Sequence, residues 1–284
     1  MLADNACDYE NIYETSDKAE ETSKKESVSV KDTDEVTTPA LGEADTGSDT
    51  DTAVQNVIQR KEITGTVYNK TELSDYGFVH NHFYTITSIT ELTESILRPD
   101  DFINRNLAID KSSRQPQILI FHTHSQEGFI DSVEADAKTT IVGVGDYLTK
   151  LLTERYGYNV IHDTTVYDYV DGKLDRSKAY TYAENGIAKI LNDNPSIEVV
   201  IDLHRDGVAD TTHLVTQMDG KSMAKIMFFN GLSYSKINGD IAYLNNPYRD
   251  DNLAMSLQMQ LIGEAYYPGF FKENICKCIQ ILPA

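Results

Sequence analysis

Two short apolar runs in this chain each end in residues able to hold a metal ion. The first is Gln117-Ile-Leu-Ile-Phe121, followed by His122-Thr-His124-Ser-Gln-Glu127. The second is Ile197-Glu-Val-Val-Ile-Asp-Leu203, followed by His204-Arg205-Asp206. Runs of this length bounded by polar residues read as buried strands of a parallel sheet. Open α/β sheets place their ligands outside the carboxyl ends of the strands, where both clusters fall. If the two strands are neighbours, His122, His124, Glu127 and His204 converge at one sheet edge. Two imidazoles and a carboxylate form a common ligand set for catalytic zinc, with a fourth position left open for water. An H-x-x-E spacing such as His124–Glu127 arises by chance in many chains, so the weight rests on the coincidence of two strand–histidine junctions. His122 is an alternative to His124, because residues two apart on an extended segment point the same way. His124 lies past the strand end, where the chain can turn toward a metal.

The elements that must position these residues alternate from residue 116 onward. The pattern predicts a strand over 117–121, a loop over 122–138 and a helix over about 139–156. That helix has Ile141, Val144, Leu148, Leu151 and Leu152 at helical spacing and stops at Gly157. A strand over 158–162 follows, then a helix over about 178–193 closed by Asn194-Pro195. After the strand at 197–203 come β-rich runs at 213–217 and 225–230, and a last helix over about 248–266. Strands and helices alternating at these lengths predict a three-layer α/β/α domain with a mainly parallel sheet, spanning 116–284. Residues 56–115 form a leading segment packed on this domain, with a β-leaning stretch at Glu62–Tyr68 and a helix around Ser88–Ile96 broken by Arg98-Pro99.

Residues 1–55 hold 15 acidic and 4 basic side chains, a net of −11 out of −20 for the whole chain. A segment so charged and so poor in apolar residues cannot bury enough surface to offset its chain entropy, so it reads as a disordered acidic linker. The acidic balance argues against a nucleic-acid partner. No apolar run reaches the roughly 18 residues needed to span a bilayer, and Met1-Leu-Ala-Asp-Asn-Ala-Cys-Asp-Tyr-Glu10 is no signal peptide. Cys7, Cys276 and Cys278 give no disulfide framework. His162 and His213 read as structural residues, and His80 and His82 as surface residues of the leading segment.

The motifs together resemble the stage II sporulation protein P family. The resemblance rests on His122-Thr-His124-Ser-Gln-Glu127, Val142-Gly-Val-Gly-Asp-Tyr-Leu148, Tyr156-Gly157 and Val200-Ile-Asp-Leu-His204-Arg-Asp206. It continues from Asn246-Pro247 through Asn252-Leu253 to Tyr267-Pro268-Gly269, and so covers about 116–270. That family is similar to the zinc-dependent N-acetylmuramoyl-L-alanine amidases. The resemblance implies an amidase-like fold and hydrolysis of the amide bond between N-acetylmuramic acid and the stem peptide of peptidoglycan, during spore engulfment. It implies a membrane-anchored, extracytoplasmic location, peptidoglycan as the partner, and action beside the stage II sporulation proteins D and M. Residue by residue, it makes His124, Glu127 and His204 the zinc ligands. It leaves His122, Arg205 and Asp206 to support a ligand or hold substrate.

Amidase chemistry also needs a carboxylate to move the proton of the attacking water. In the amidases a Glu at the end of a late apolar strand does this, in a pattern like L-I-E-x-G. The tail Phe270-Phe-Lys-Glu-Asn-Ile-Cys-Lys-Cys-Ile-Gln-Ile-Leu-Pro-Ala284 has no such pattern. The expectation is therefore a domain lacking its final strand, general-base Glu and closing helix, with impaired activity; Glu264 and Glu273 are poor substitutes. Two other readings stay open: a metallocarboxypeptidase-like peptidase, which also uses H-x-x-E with a distant His, and a non-catalytic cell-wall-binding protein.

Overall fold

The computed structural model of the chain describes residues 62–170, 172–209 and 211–277. The acidic segment 1–55 and Cys278 lie outside these residues. In chain order, the leading segment contributes helices α1 (Lys70–Ser74) and α2 (Tyr76–Phe83), strand β1 (Tyr84–Ile86) and helix α3 (Pro99–Asn104). Then come β2 (Ile118–Phe121), α4 (Ile141–Lys150), β3 (Val160–His162), the hairpin β4 (Tyr169–Val170) and β5 (Lys173–Leu174), α5 (Arg176–Asp193) and β6 (Val199–Asp202). Hairpin β7 (Val215–Met218) and β8 (Lys221–Ala224) precedes β9 (Phe229–Gly231). The short pair β10 (Tyr234–Ser235) and β11 (Gly239–Asp240), helix α6 (Arg249–Tyr266) and β12 (Asn274–Lys277) complete it.

The parallel strands divide into two sheets. The first has the order β3-β2-β6, all parallel, with Ile118 opposite both Val160 and Val199 and Phe121 opposite Asp202. The two strands expected to be neighbours from their histidine junctions are therefore paired directly. Side chains alternate across β2. Leu119 and Phe121 form a buried cluster with Tyr167 and with Ala183 and Ile187 of α5. His122, of the opposite parity, meets α4 at Gly145, where a Cβ would stand 2.7 Å from His122 Nε2. The sheet thus lies between α4 and α5, as a parallel α/β unit requires.

Local sequence explains the two flanking helices. Thr140 caps α4 by accepting from Val142 N, and Gly157 ends the following turn at φ +75°. Asp175 caps α5 by accepting from Lys178 N, and Asn194 before Pro195 ends it. The buried face of α4 differs from the expected one. It is Ile141, Val142 and Gly145, while Val144 is 42% exposed. The missing side chain at Gly145 lets the helix approach the strand-end histidines on that face.

The second sheet has the order β1-β12-β9, again parallel. The tail that was expected to lack a closing strand supplies its central strand. Asn274 and Cys276 point inward and are fully buried, so Cys276 is a core residue. Val79, Phe83, Leu92, Leu97 and Phe102 of the leading segment pack with Leu253 and Leu257 of α6 and with Cys276 in one cluster. The expected helix at Ser88–Ile96 is absent, and turns replace it. Thr90 Oγ1 donates to Tyr234 O (2.6 Å), Tyr76 Oη donates to Leu92 O (2.6 Å), and Thr90 N bonds back to Thr87 O. Threonine and carbonyl groups spent this way do not build a helix. Pro99 starts α3 from its first turn, a position that needs no N–H donor. The stretch Glu62–Tyr68 forms no strand. Thr64 and Gly65 donate to Ala265 O and Thr66 to Glu264 O, satisfying carbonyls at the end of α6.

Candidate functional site

The site is built at the carboxyl ends of β2 and β6. The backbone ladder continues one step past the strands, with Leu203 N donating to Phe121 O at 2.9 Å. The chain after β2 then turns, and Glu127 N bonds to His124 O. That turn sends His122 and His124 in different directions. His124 is 3% exposed, and its ring meets Tyr180 of α5 edge-on at 5.4 Å and His204 at 5.2 Å between centroids. The His122 ring instead stays on the α4 side. Its Nδ1–H donates to Leu203 O (2.8 Å), and its Nε2 shares a hydrogen bond with His162 Nε2 at 2.8 Å. Both nitrogens of His122 are thereby used, whereas the His124 ring lies beside His204.

His204 sits between two carboxylates. Its Nε2 is 2.9 Å from Asp202 Oδ2, and its Nδ1 is 3.5 Å from Glu127 Oε2. Asp202 is fixed in turn by Thr123, whose N–H and hydroxyl donate to its two oxygens at 2.9 and 2.5 Å. Glu127 Oε2 also accepts from Arg205 N at 2.6 Å. The three predicted ligands are therefore brought together, through residues on both strand ends. Burial disfavours a charge on His204, but Asp202 and then Glu127 outweigh it and raise its pKa to about 10. Burial lowers the pKa of His124, and the neighbouring His204 lowers it further. Both effects favour the neutral form of His124, in which imidazole offers a lone pair.

Both ring nitrogens of His124 are buried without a hydrogen-bond partner. A buried polar atom left unpaired costs about 1–3 kcal/mol, and a ligand accepting its lone pair would remove that cost. With Glu127 and His204 beside it, the donor set suits zinc once His204 gives up its proton to the incoming ion. The shell is not assembled in this structure: among the described residues, no group of three His, Cys, Asp or Glu stands in metal-holding geometry. Glu127 and His204 face each other rather than a common centre.

The remaining polar residues hold the turn. Buried Asp168 accepts from Ser125 Oγ (3.1 Å) and Gln126 N (3.3 Å), and Glu127 O accepts from Ile141 N (2.9 Å) at the start of α4. Arg205 donates from Nε to Gly128 O (2.7 Å) and from Nη1 to Asp206 O (3.1 Å), clipping one ligand loop to the other, while Asp206 is exposed. The Glu264 carboxylate is engaged by Tyr68 and Gln260, Glu273 is exposed, and His213 is exposed. Sequence reading missed Asp202 and Asp168. Asp202 carried a signal, since a strand carboxylate two residues before a ligand points to the same side. Asp168 lies in a polar loop with no comparable pattern.

Fold and cluster define a parallel α/β protein with a histidine–carboxylate site at the carboxyl edge of its sheet. The chain belongs to the Stage II sporulation protein P (SpoIIP) family, whose sequence profile matches residues 2–280. It is therefore a member of a sporulation family. Over 163 residues it is 22% identical to the Stage II sporulation protein P of Bacillus subtilis (strain 168), a match covering 54% of this chain and 37% of that protein. The match thus spans well under half of that relative's length. No solved structure matches the chain. No helix among the described residues is long and apolar enough to cross a membrane.

Proposed function

We propose that the chain is a peptidoglycan hydrolase that cleaves the amide bond between N-acetylmuramic acid and the stem peptide, with zinc held by His124, Glu127 and His204. In this reading it acts outside the cytoplasmic membrane during spore engulfment, beside the stage II sporulation proteins D and M. The observation that carries the proposal is the buried His124 ring, both nitrogens unpartnered, against His204 and Glu127. Zinc at such a site supplies a Lewis acid for the amide carbonyl and a nucleophile at neutral pH. The chain's own residues orient the ligands. Asp202 takes the Nε2 side of His204, which leaves Nδ1 on the side of Glu127, the arrangement by which a carboxylate orients a metal-binding imidazole. Thr123 keeps Asp202 in place, and Asp168 keeps the His124–Glu127 turn in place.

The test is metal analysis of the purified chain together with digestion of purified sacculi. The expected result is about one zinc per chain, as three protein ligands imply, and release of intact stem peptides with free amino termini. His124→Ala, Glu127→Ala and His204→Ala should each lose most of the metal. Release of single carboxyl-terminal residues would replace the amidase by a carboxypeptidase-like activity. Zinc and sacculus binding without any release would leave a wall-binding protein.

A further inference from the structure

We infer that His162 is a positioning residue for this site: through the His122 ring it fixes the two chain ends that carry His124 and His204. The inference rests on the reading of those residues as metal ligands. The backbone ladder of the first sheet ends with Asp163 N donating to Ile120 O and Leu203 N to Phe121 O. Beyond it, side chains take over. A line of three contacts crosses all three strand ends: Asp146 Oδ1 to His162 Nδ1 at 2.9 Å, His162 Nε2 to His122 Nε2 at 2.8 Å, and His122 Nδ1 to Leu203 O at 2.8 Å. One end of this line is Asp146 on α4. The other is the carbonyl just before His204, and His122 itself lies two residues before His124.

The two imidazoles of this line are enclosed. His122 is fully buried and the His162 side chain is 7% exposed. Gly145 is the wall: a Cβ there would lie 2.5 Å from His162 Nε2 and 2.7 Å from His122 Nε2. Apolar side chains would fill this space without the desolvation cost that two imidazoles carry. What imidazoles add is direction, because each bond fixes a ring angle as well as a distance. None of the three proposed ligands touches His162, so its effect reaches the metal only through His122.

Cobalt(II) titration of the purified full chain, read by its visible absorption, tests this, with thermal unfolding of the metal-free form as a control. His162→Ala should weaken cobalt affinity by about 10–100-fold, the usual effect of losing a group that orients a ligand, and should alter the absorption bands. His162→Gln, which keeps an N–H able to reach His122, should restore most of the affinity and the bands. Gly145→Ala should weaken affinity in the same direction by pressing on both rings. Parental affinity and bands in both His162→Ala and Gly145→Ala would overturn the role of His162 while leaving the metal site standing. If His162→Ala does not fold, Asp146→Asn decides, since that side chain is 55% exposed: weakened affinity supports the role and parental affinity overturns it. A parent chain that takes up no cobalt would overturn the metal-site reading, and this role with it.

Discussion

His204 shows how much at the residue scale depends on neighbours. It lies between Asp202 and Glu127, and only the first of these belongs to β6, the strand that leads into it. The Asp202 carboxylate is held by two donors from Thr123, on the neighbouring strand end. Asp202→Asn keeps the size and one acceptor but removes the charge that orients His204. It should lower metal affinity by about 10–100-fold, measured by competition with a chromophoric chelator. The two histidines of H-T-H should separate in the same assay. His124→Ala removes a ligand and most of the metal. His122→Ala removes only the support from beneath and should cost less, by at least about tenfold in affinity. Full loss of metal in His122→Ala alone would exchange the two assignments.

Two interfaces between elements invite tests. Ile187 on α5 is 1% exposed and packs against Leu119 and Phe121 under the site. Ile187→Ala leaves a cavity and should cost about 2–5 kcal/mol in urea unfolding. The second interface joins α3 to α6 by charge. Arg98 bonds Asp250 (2.6 Å) and Asp101 (3.1 Å), and Arg105 bonds Asp251 (2.7 Å) and Asp101 (2.9 Å). Arg105 above all, with Arg98, holds the Asp101 carboxyl below its ordinary value of 3.8 against the opposing effect of burial. A carboxyl depressed in the folded state adds stability above 3.8 and loses it as the pH falls through its lower folded value. Asp101→Asn should therefore be less stable than the parent at neutral pH, with the gap closing as the pH falls below 3.8 and narrowing in salt. A gap that stays constant across that range would mean the pairing contributes nothing.

For the molecule as a whole, both buried clusters and the site are made by residues from Val79 to Cys276. Removing residues 1–55 should leave metal uptake and the cooperativity of unfolding unchanged, and a lost transition would show that the acidic segment has a structural part. Cutting the chain before Asn274 is a different matter. It removes the strand between β1 and β9 and the buried Cys276, so the leading segment loses the sheet it packs on. The expected result is loss of the cooperative transition in circular dichroism and exposure of apolar surface to a reporter dye. The tail carries no amidase-like strand pattern. The signal present was weaker: two inward residues, Asn274 and Cys276, one of them polar.

The sequence alone determined the elements of the first sheet, because apolar periodicity, the Thr140 and Asp175 caps and the Gly157 and Asn194-Pro195 stops are local instructions. It also determined the ligand candidates, because strand ends of a parallel sheet are where such residues collect. Family membership was legible in the same motifs. Tertiary structure decided what depends on distance in the chain. It separated His122 from His124 by a turn whose hold is Asp168, more than 40 residues away. It set α4 against the imidazoles through Gly145, where the pattern had favoured Val144. It turned Ser88–Ile96 from a helix into turns by bonds to Tyr76 and Tyr234, and it drew the tail into the middle of a second sheet. In each case a partner remote in sequence outweighed the local preference, and no spacing along the chain encodes where that partner lies.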